Sequence, residues 1–426
     1  MEYTPFRLPP NLLLGCATSA TQIEGGDTNN SWYEWSAQRG RIKGSSSPVR
    51  ANMHWEKYKE DADLMAKMGL QVYRMGLEWS RIEPRDGQFS MEAIHRYREE
   101  IQLLQSKGIR VLVTLHHFTN PLWFERMGAF EGPRSVGHFA KYVKFVVENI
   151  GDLITDYVTI NEPNVYVTNG YVYGSWPPGY RKIGLAMTVM KHLALSHVAA
   201  YKLIHKLRKE HGFEGKTMVG FANHLRVFIP HSKWSPIDIT SAKVMQYLFQ
   251  DGLNDCMCTG RLRLPLGSSA PLGEGKFYDF IGINYYTRSD VDFLYNGAKP
   301  DSPVNDLGWE IYPEGLTQLV HDQYRKYRAP VWITENGTCD KKDVFRCDFI
   351  YQHLKQIADH HLPVTRYYHW TFMDNFEWAE GETAPFGLVK CDFETQERVI
   401  RKSGEFYREI IQNHGVTQDM IDRYLK

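Results

Sequence analysis

Two glutamates in this sequence stand where a side chain can do chemistry. Glu162 follows Asn161 at the end of a short apolar run, and Glu335 precedes Asn336 at the end of another. Runs of β-branched and aromatic residues predict strands, and a carboxylate at a strand end contributes little to core packing. Two such sites, far apart in the chain, indicate a pair of carboxyl groups that a closed fold brings together.

Alternating patterns predict the elements that must position this pair. Short β-rich runs alternate with longer helical patterns, as in repeated βα units around a parallel sheet. Eight strands are predicted, near residues 12–18, 70–75, 110–116, 156–161, 218–223, 279–284, 331–335 and 365–371. Eight strands close a (β/α)8, or TIM, barrel. No linker, charge block or internal repeat divides the chain, so residues 1–426 are predicted to form one α/β domain.

Helical patterns fill the segments between the strands. Four of them cover residues 55–68, 91–106, 138–149 and 185–209, and the first stops at Gly69, a residue suited to a helix C-terminus. Residues 260–275 are rich in glycine and proline, and residues 287–309 are polar. We predict that both are long loops after strands, which in such barrels shape the substrate pocket.

In a barrel, residues at the C-terminal ends of the strands face the active site. Hydrogen-bonding or aromatic side chains stand at or just after every predicted strand end: Gln22, Arg74, His116, His117, Asn161, Glu162, Asn223, His224, Asn284, Tyr286, Glu335, Asn336 and Trp370. We interpret His116 as structural and leave Asn223 and His224 without a role. The set suits a neutral, polyhydroxylated ligand.

Cleavage of a glycoside needs little beyond two such carboxyl groups. One protonates the departing oxygen, and the other attacks the sugar or activates water. The two groups lie about 5–5.5 Å apart in a retaining enzyme and about 6.5–9.5 Å apart in an inverting one. The sequence does not give this separation, so both mechanisms stay open on residue types alone.

Composition argues against several other functions. Lys plus Arg and Asp plus Glu both number 50, so no charge excess would attract nucleic acid or an anionic membrane. No metal-binding or nucleotide-binding motif is present, so no metal or other cofactor is expected. The six cysteines form no CxxC pair, and we find no export signal and no run long enough to span a membrane. We therefore expect a cytoplasmic protein with reduced thiols.

Longer motifs extend these observations. Residues 18–25 read TSATQIEG, and the later motifs are Thr159-Ile160-Asn161-Glu162-Pro163, Gly282-Ile283-Asn284-Tyr285-Tyr286, Gly308-Trp309-Glu310-Ile311-Tyr312-Pro313-Glu314-Gly315, Ile333-Thr334-Glu335-Asn336-Gly337 and Asp374-Asn375-Phe376-Glu377-Trp378. In sequence and order the chain resembles glycoside hydrolase family 1, the β-glucosidase family, along essentially its whole length. The resemblance implies a TIM barrel enzyme that acts on small β-glycosides by a retaining double displacement.

The resemblance also implies a role for each matching residue. Glu162 matches the acid/base and Glu335 the nucleophile, a division that requires Glu162 to be protonated and Glu335 ionised at the start. Arg74, Tyr286 and Asn284 match residues that support the nucleophile. Residues that match sugar contacts are Gln22, His117, Asn161, Trp370, Glu377, Trp378 and Phe386. For the two tryptophans, core packing is the alternative interpretation.

The sequence departs from the family pattern at Phe118, where many members have a tryptophan, and at Leu14, which replaces a tryptophan of the first strand. The phospho-sugar branch has serine in place of Glu377 and a Lys-x-Tyr motif downstream, whereas residues 377–387 carry glutamates and no such basic group. A 6-phospho-β-glycosidase, a transglycosylase and a non-catalytic sugar-binding barrel are the alternatives to a β-glycosidase. The sequence leaves the preferred sugar, the leaving group and the oligomeric state open.

Overall fold

Eight parallel strands form a closed barrel in the computed structural model, which describes residues 2–426. The barrel strands are β1 Leu13–Ala17, β2 Val72–Gly76, β3 Arg110–Thr114, β4 Asp156–Asn161, β5 Met218–Pro230, β6 Ile281–Asp292, β7 Val331–Asn336 and β8 Val364–Trp370. Strand β1 pairs with β2 and β8, and pairing of β5 with β6 closes the barrel. The predicted (β/α)8 barrel is confirmed.

In the described part of the chain, fifteen α-helices connect and flank these strands. In chain order, α1 to α15 span Ala20–Ile23, Ser31–Ser36, His54–Lys67, Trp79–Ile82, Met91–Ser106, Leu122–Arg126, Ser135–Ile150, Pro163–Val167, Ile183–Glu210, Pro236–Gln246, Gly252–Thr259, Glu314–Tyr327, Arg346–Asp359, Lys402–Asn413 and Gln418–Tyr424. The four predicted helices correspond to α3, α5, α7 and α9. Helix α3 buries Tyr58, Ala62 and Met65 on one face, and the chain leaves it at Gly69, whose φ of +73° favours glycine.

The remaining elements are short. Segments of 3-10 helix span Lys43–Ser45, Ala129–Glu131 and Trp378–Thr383, and π-helical segments span Thr168–Tyr173 and Tyr247–Asp251. Antiparallel ribbons join Phe6–Arg7 to Gly415–Val416, Val389–Cys391 to Arg398–Ile400, and Tyr295–Gly297 to the end of β6. Two of the helical segments, those beginning at Thr168 and Trp378, contribute residues to the pocket described below.

The apolar core has one layer between strands and helices and a second inside the barrel. Inside, the rings of Phe280 and Trp332 stack with their centroids 3.7 Å apart. Beside them, the buried Arg366 donates to Asp156 at 2.7 Å, at the N-terminal end of β4. Because side chains fill this end of the barrel, the pocket lies at the opposite end, as is usual for the fold.

Strands β5 and β6 extend beyond their predicted ends at residues 223 and 284, and they stay paired as far as Pro230 and Val291. The predicted loop at residues 287–309 was wrong for residues 287–292, which continue β6 and have hydrogen-bonded polar side chains. Asp290, for example, accepts from His231 at 2.7 Å. Residues 298–309 are irregular, and Leu307 and Trp309 among them line the pocket. Residues 260–275 follow helix α11 and precede β6, so they connect a helix to a strand and line no part of the pocket.

Within residues 2–426, helix α9 alone has the length and apolar composition of a membrane span. The sequence prediction overlooked it, but the helix is part of the protein interior. Fourteen of its residues are buried, and His197 in its middle bonds the hydroxyl of Thr159 on β4 at 2.7 Å. A buried histidine needs a hydrogen-bond partner, and this contact with a barrel strand supplies one in the protein core.

Candidate active site

A cavity of about 240 Å³ opens at the C-terminal ends of the barrel strands. Eight of the twelve residues predicted for the site line it: His117, Glu162, Tyr286, Glu335, Trp370, Glu377, Trp378 and Phe386. The other four, Gln22, Arg74, Asn161 and Asn284, lie behind this lining and are buried. The barrel therefore brings all twelve to one end, in an inner and an outer ring.

Glu335 is held by two donors. Arg74 Nη1 donates to Oε1 at 2.6 Å, and the hydroxyl of Tyr286 donates to Oε2 at 2.6 Å. Strand β7 carries Glu335, while Arg74 comes from β2 and Tyr286 from β6. A cation and a hydroxyl donor both favour the ionised carboxylate. These contacts agree with the support predicted for Glu335.

Glu162 has a different environment. It follows β4 in a left-handed conformation, with φ of +43°, and helix α8 begins directly after it at Pro163. Its Oε1 accepts a hydrogen bond from the amide of Asn284 at 2.8 Å and lies 3.4 Å from Nδ1 of His224. No arginine or lysine within residues 2–426 is paired with it directly. Glu162 thus has weaker support for a negative charge than Glu335 has.

Asn284 was expected to support Glu335 but contacts Glu162 instead. Thr334 donates its hydroxyl to Oδ1 of Asn284 at 2.6 Å. This bond orients the amide nitrogen, which then donates to Glu162 and, at 3.0 Å, to Oδ1 of Asn161. Arg74 Nη2 donates to the same oxygen of Asn161 at 2.6 Å. Glu162 and Glu335 are therefore the two ends of one network of buried hydrogen bonds.

Burial raises the pKa of both carboxyl groups to about 7. At Glu335 the charge of Arg74 and the bond from Tyr286 oppose this rise, while the charge of Glu162 adds to it. At Glu162 the bond from Asn284 and the more distant arginine charges oppose it. The two pKa values are therefore alike and do not separate a neutral Glu162 from an ionised Glu335. The contacts do separate them, because only Glu335 is paired directly with a cation. Repulsion between the pair favours one shared proton.

The other end of the pocket is formed by Glu377 and aromatic rings. Burial, together with the charge of Glu335, raises the pKa of Glu377 to about 8. Gln22 donates to Glu377 Oε2 at 3.3 Å and to the backbone oxygen of Phe376 at 2.9 Å. The rings of Trp370 and His117 are nearly parallel, 5.9 Å apart. This end thus combines hydrogen-bonding groups with flat apolar faces, which suits a sugar ring.

Two predicted sugar contacts have their polar atoms engaged within the protein. The Asn161 amide nitrogen is 3.0 Å from Nε2 of His117, and its oxygen accepts from Arg74 and Asn284. Gln22 is fully buried behind Glu377. In this geometry both side chains orient residues that line the pocket.

Phe118 stands where many members of glycoside hydrolase family 1 have a tryptophan, and its ring is packed against neighbouring aromatic rings. Its ring packs edge-on against Trp176 at 4.9 Å and against Trp378 at 5.2 Å. Trp176, from the segment after helix α8, also lines the pocket. A tryptophan from another loop therefore packs beside Phe118 in the pocket wall. Both predicted tryptophans, Trp370 and Trp378, pack against neighbours and also line the pocket.

Sequence reasoning left ten of the lining residues without an assignment, including those near Glu162. The lining residues that it did not assign are Phe118, Val165, Asn169, Trp176, His224, Arg226, Leu307, Trp309, Ala379 and Glu380. His224 stood at a predicted strand end but had no role. Arg226 lay beyond the predicted end of β5, and only the true length of that strand places it in the pocket. His116, by contrast, is structural as expected, since it bonds Asn120 at 2.8 Å away from the pocket.

A closed (β/α)8 barrel with two buried carboxyls and aromatic walls at its C-terminal end defines a carbohydrate-active enzyme. The profile of glycosyl hydrolase family 1 matches residues 5–264 and 275–416. The chain is 30% identical to a β-galactosidase of Pyrococcus woesei, over 98% of this chain and 99% of that one. The chain belongs to glycosyl hydrolase family 1, and it is a glycosidase.

Solved structures agree with this assignment. A β-glycosidase from Pyrococcus horikoshii superimposes with a TM-score of 0.90 at 35% identity, covering 99% of this chain and 98% of that one. A β-glucosidase from Thermotoga maritima in complex with glucoimidazole superimposes with a TM-score of 0.88 at 27% identity, covering 96% of this chain and all of that one. The relatives thus carry the names of both glucosidases and galactosidases.

Proposed function

We propose that this protein is a retaining β-glycosidase that removes terminal non-reducing β-D-glycosyl residues, with Glu335 as nucleophile and Glu162 as acid/base. The observation that carries this division is the unequal support of the two carboxyls. Arg74 and Tyr286 each donate to Glu335 at 2.6 Å, whereas Glu162 receives a neutral amide from Asn284. The group with a cation at contact distance is the better nucleophile, and the other retains a proton more readily.

The proposed reaction has two steps. In the first, a Glu335 oxygen bonds the anomeric carbon as the bond to the leaving oxygen breaks, and that oxygen takes the proton of Glu162. In the second, water gives a proton to Glu162 and bonds the anomeric carbon, and the ester to Glu335 breaks. Both steps pass through an oxocarbenium-like transition state. Asn161 belongs to the proposed site as a contact of the sugar 2-hydroxyl or as the residue that orients Arg74.

The sugar would bind between Glu377 and the aromatic walls. The carboxyl group of Glu377 can form hydrogen bonds with two adjacent hydroxyls, and tryptophan faces cover the apolar C–H groups of a hexose. Gln22, His117, Trp370, Trp378 and Phe386 complete this proposed set. We propose β-glucosides as the main substrates, with β-galactosides and β-fucosides as further ones, because relatives are named for both glucose and galactose.

Trapping the intermediate tests this proposal. Incubation with a 2-deoxy-2-fluoro-β-glucoside bearing a good leaving group should add one fluorosugar to the protein, and peptide mapping should place it on Glu335. The Glu162→Ala variant should lose most activity on poor leaving groups and regain turnover with azide as a β-glycosyl azide. An α-azide, or a label on a residue other than Glu335, would refute the retaining assignment.

A 6-phospho-β-glycosidase is the main competing function. Glu335, Glu377 and Glu380 surround the sugar end of the pocket, and Arg226, at the Glu162 end, is the only lysine or arginine that lines it. A phosphate at the sugar end would therefore meet glutamates and no lysine or arginine of the lining. Nitrophenyl β-glucoside should be cleaved far faster than its 6-phosphate, and the reverse order would favour the phospho-specific enzyme.

Product analysis with added alcohols would reveal a transglycosylase. A non-catalytic sugar-binding barrel is set aside because the chain is a glycosidase.

We further propose that the enzyme acts in the cytoplasm as one domain on small glycosides, with no nucleic-acid or membrane partner. Its six cysteines are all free and buried, which fits a reducing compartment. Its charges balance at 50 of each sign. Fractionation of cells of the source organism would test the location.

A further inference from the structure

Within residues 2–426, Arg226 is the only lysine or arginine that lines the pocket, and four glutamates also line it: Glu162, Glu335, Glu377 and Glu380. The two histidines of the lining do not add charge. Burial, followed by the charges of neighbouring arginines, holds the pKa of His117 and of His224 well below the usual value. Among the described residues that line the pocket, only Arg226 therefore carries a positive charge.

Arg226 also lacks the ion pair that the other arginines close to the barrel interior possess. Arg74, Arg288 and Arg366 each lie within 2.7 Å of a carboxylate oxygen. Within residues 2–426, no carboxylate lies within 4 Å of the Arg226 guanidinium. Arg226 is partly buried, so its charge is partly desolvated without a paired anion in the chain, and a bound anion would offset that cost.

Arg226 is nevertheless held in a defined position. Its Nε donates to Nε2 of His224 at 2.7 Å, and its backbone nitrogen donates to Oε1 of Gln250 at 2.9 Å. Its Nη1 has a long contact of 3.5 Å to Ser289. Its Nη2 has no acceptor within the described chain. The fork of Arg226 is thus anchored at one nitrogen and free to bind at the other end.

Arg226 lies at the leaving-group end of the pocket. His224, which it contacts, lies 3.4 Å from Glu162 through its other ring nitrogen. Because Nε2 of His224 accepts from Arg226, the ring proton is on Nδ1, the nitrogen that faces Glu162. Asn169 and Val165, which follow Glu162 along the chain, line the same side. Glu377 and the walls for the sugar ring are at the other end. A group that departs with the proton of Glu162 therefore passes Arg226.

We propose that Arg226 binds a carboxylate on the leaving group, so that the enzyme selects β-glycosides whose aglycone is acidic. The inference rests on the proposed function, because it takes Glu162 as the acid that protonates the leaving oxygen. A guanidinium binds a carboxylate through charge-assisted hydrogen bonds. The sugar end of the pocket is lined by Glu377 and Glu380 and by no lysine or arginine, so the substrate carboxylate is favoured only at the Arg226 end.

A matched pair of substrates tests this selectivity. In 4-(carboxymethyl)phenyl β-glucoside and 4-(carbamoylmethyl)phenyl β-glucoside, the methylene group keeps the two phenol leaving groups similar in acidity. The quantity to measure is the ratio of kcat/KM for the acid to kcat/KM for the amide. This ratio cancels any change in Glu162 that a variant causes through His224. The proteins to compare are wild type, Arg226→Met, Arg226→Lys and the control Lys43→Met, which removes an exposed cation paired with Glu380 at 3.0 Å.

The wild-type ratio should be roughly 10 at low ionic strength and should decline in about 1 M salt, because salt screens charges that solvent reaches. Arg226→Met should bring the ratio to about 1 or below, Arg226→Lys should retain part of it, and Lys43→Met should leave it unchanged. A wild-type ratio at or below 1, or an equal ratio in wild type and Arg226→Met, overturns the inference. The wild-type measurement decides the matter even if a variant does not fold. Failure of wild type on both glucosides would instead contradict the proposed function.

Discussion

Arg74 reaches Glu335 across the barrel, with Nη1 2.6 Å from Oε1, although the two residues come from strands β2 and β7. Neither side chain is exposed to solvent beyond a few per cent. The same guanidinium also donates to Thr114 on β3 at 2.9 Å and to Asn161 on β4 at 2.6 Å. Arg74 thus holds Glu335, the proposed nucleophile, and the strand that precedes Glu162, the proposed acid/base, in one arrangement.

Replacement of Arg74 by Met should therefore reduce catalysis severely. Breaking a buried ion pair costs about 3–5 kcal/mol of stability. Loss of the cation also raises the pKa of Glu335, so kcat/KM for an aryl glucoside should fall at least about a hundredfold. Arg74→Lys should recover little, since an ammonium cannot make the same forked set of bonds. Steady-state kinetics and melting temperatures should be measured together.

The control is Arg366→Met, which breaks a buried pair with Asp156 outside the pocket. It should lower the melting temperature but preserve kcat/KM. Near-normal activity in Arg74→Met would exclude the proposed role.

Tyr286→Phe removes one hydroxyl and little volume. Because this hydroxyl donates to Glu335 and lowers its pKa, its loss should raise the pKa of Glu335. Activity should then decline at a higher pH on the acid side, and kcat should fall about 10-fold to 100-fold. The full pH profile of kcat/KM measures both effects.

The neighbouring residue offers a matched control for this variant. Tyr285 lies on the same strand, but its side chain packs on the helix side and its hydroxyl bonds the backbone oxygen of Tyr312. Tyr285→Phe should cost some stability and leave the acid limb of the profile in place. Identical profiles for the two variants would show that the Tyr286 hydroxyl has no special relation to Glu335.

The pH dependence of the wild-type enzyme should be narrow and centred near neutrality. The active form requires an ionised Glu335 and a protonated Glu162, and burial raises the pKa of both groups to about 7. Mutual repulsion separates the two apparent pKa values, so activity falls below the first as Glu335 gains a proton and above the second as Glu162 loses one. Glu162→Gln, assayed with a leaving group that needs no acid, should lose the basic limb and retain the acid limb. A basic limb that persists in this variant would belong to another group.

Much of this site could be predicted because local sequence determines it. The apolar runs that end at Asn161 and Glu335 form barrel strands with those ends, and a closed parallel barrel brings its strand ends together regardless of loop shape. Twelve predicted residues accordingly lie at one end of the barrel. Their distribution between the pocket lining and the layer behind it depends on side-chain contacts between distant strands.

The errors share one physical cause, which is dependence on partners distant in sequence. The ribbon of β5 and β6 beyond residue 223 is stable because each strand pairs with the other, and its polar residues are bonded across the ribbon. Arg226 was missed for this reason. Likewise, Asn284 bonds Glu162 rather than Glu335 because Thr334 orients its amide. The residues next to Asn284 in the chain do not determine the orientation of its amide.

A buried cluster outside the pocket should control stability at alkaline pH. His54 on helix α3 bonds Asp61 at 2.7 Å and Glu100 of helix α5 at 2.8 Å. Burial alone would lower the pKa of His54, but the two carboxylates outweigh it and raise this pKa to about 10. In the unfolded chain the pKa is near 6.5. A pKa that is raised on folding stabilises the protein fully below the unfolded value, and this stabilisation is lost as pH rises through the folded value.

His54→Gln should therefore destabilise the enzyme strongly at pH 6, by about 3 kcal/mol, because it removes the buried cation between Asp61 and Glu100. Each carboxylate then keeps one arginine, since Arg398 pairs with Asp61 and Arg96 with Glu100, both at 3.0 Å. The deficit relative to wild type should shrink as pH approaches 10, where wild-type His54 also loses its proton. Denaturant unfolding at several pH values measures this difference. The control is His205→Gln, which removes a similar bond of 2.7 Å to Asp279 at a site where His205 is 34% exposed; it should cost less than about 1 kcal/mol. A deficit for His54→Gln that stays constant from pH 6 to pH 10 would mean that His54 is neutral in the folded protein and that the cluster acts through packing alone.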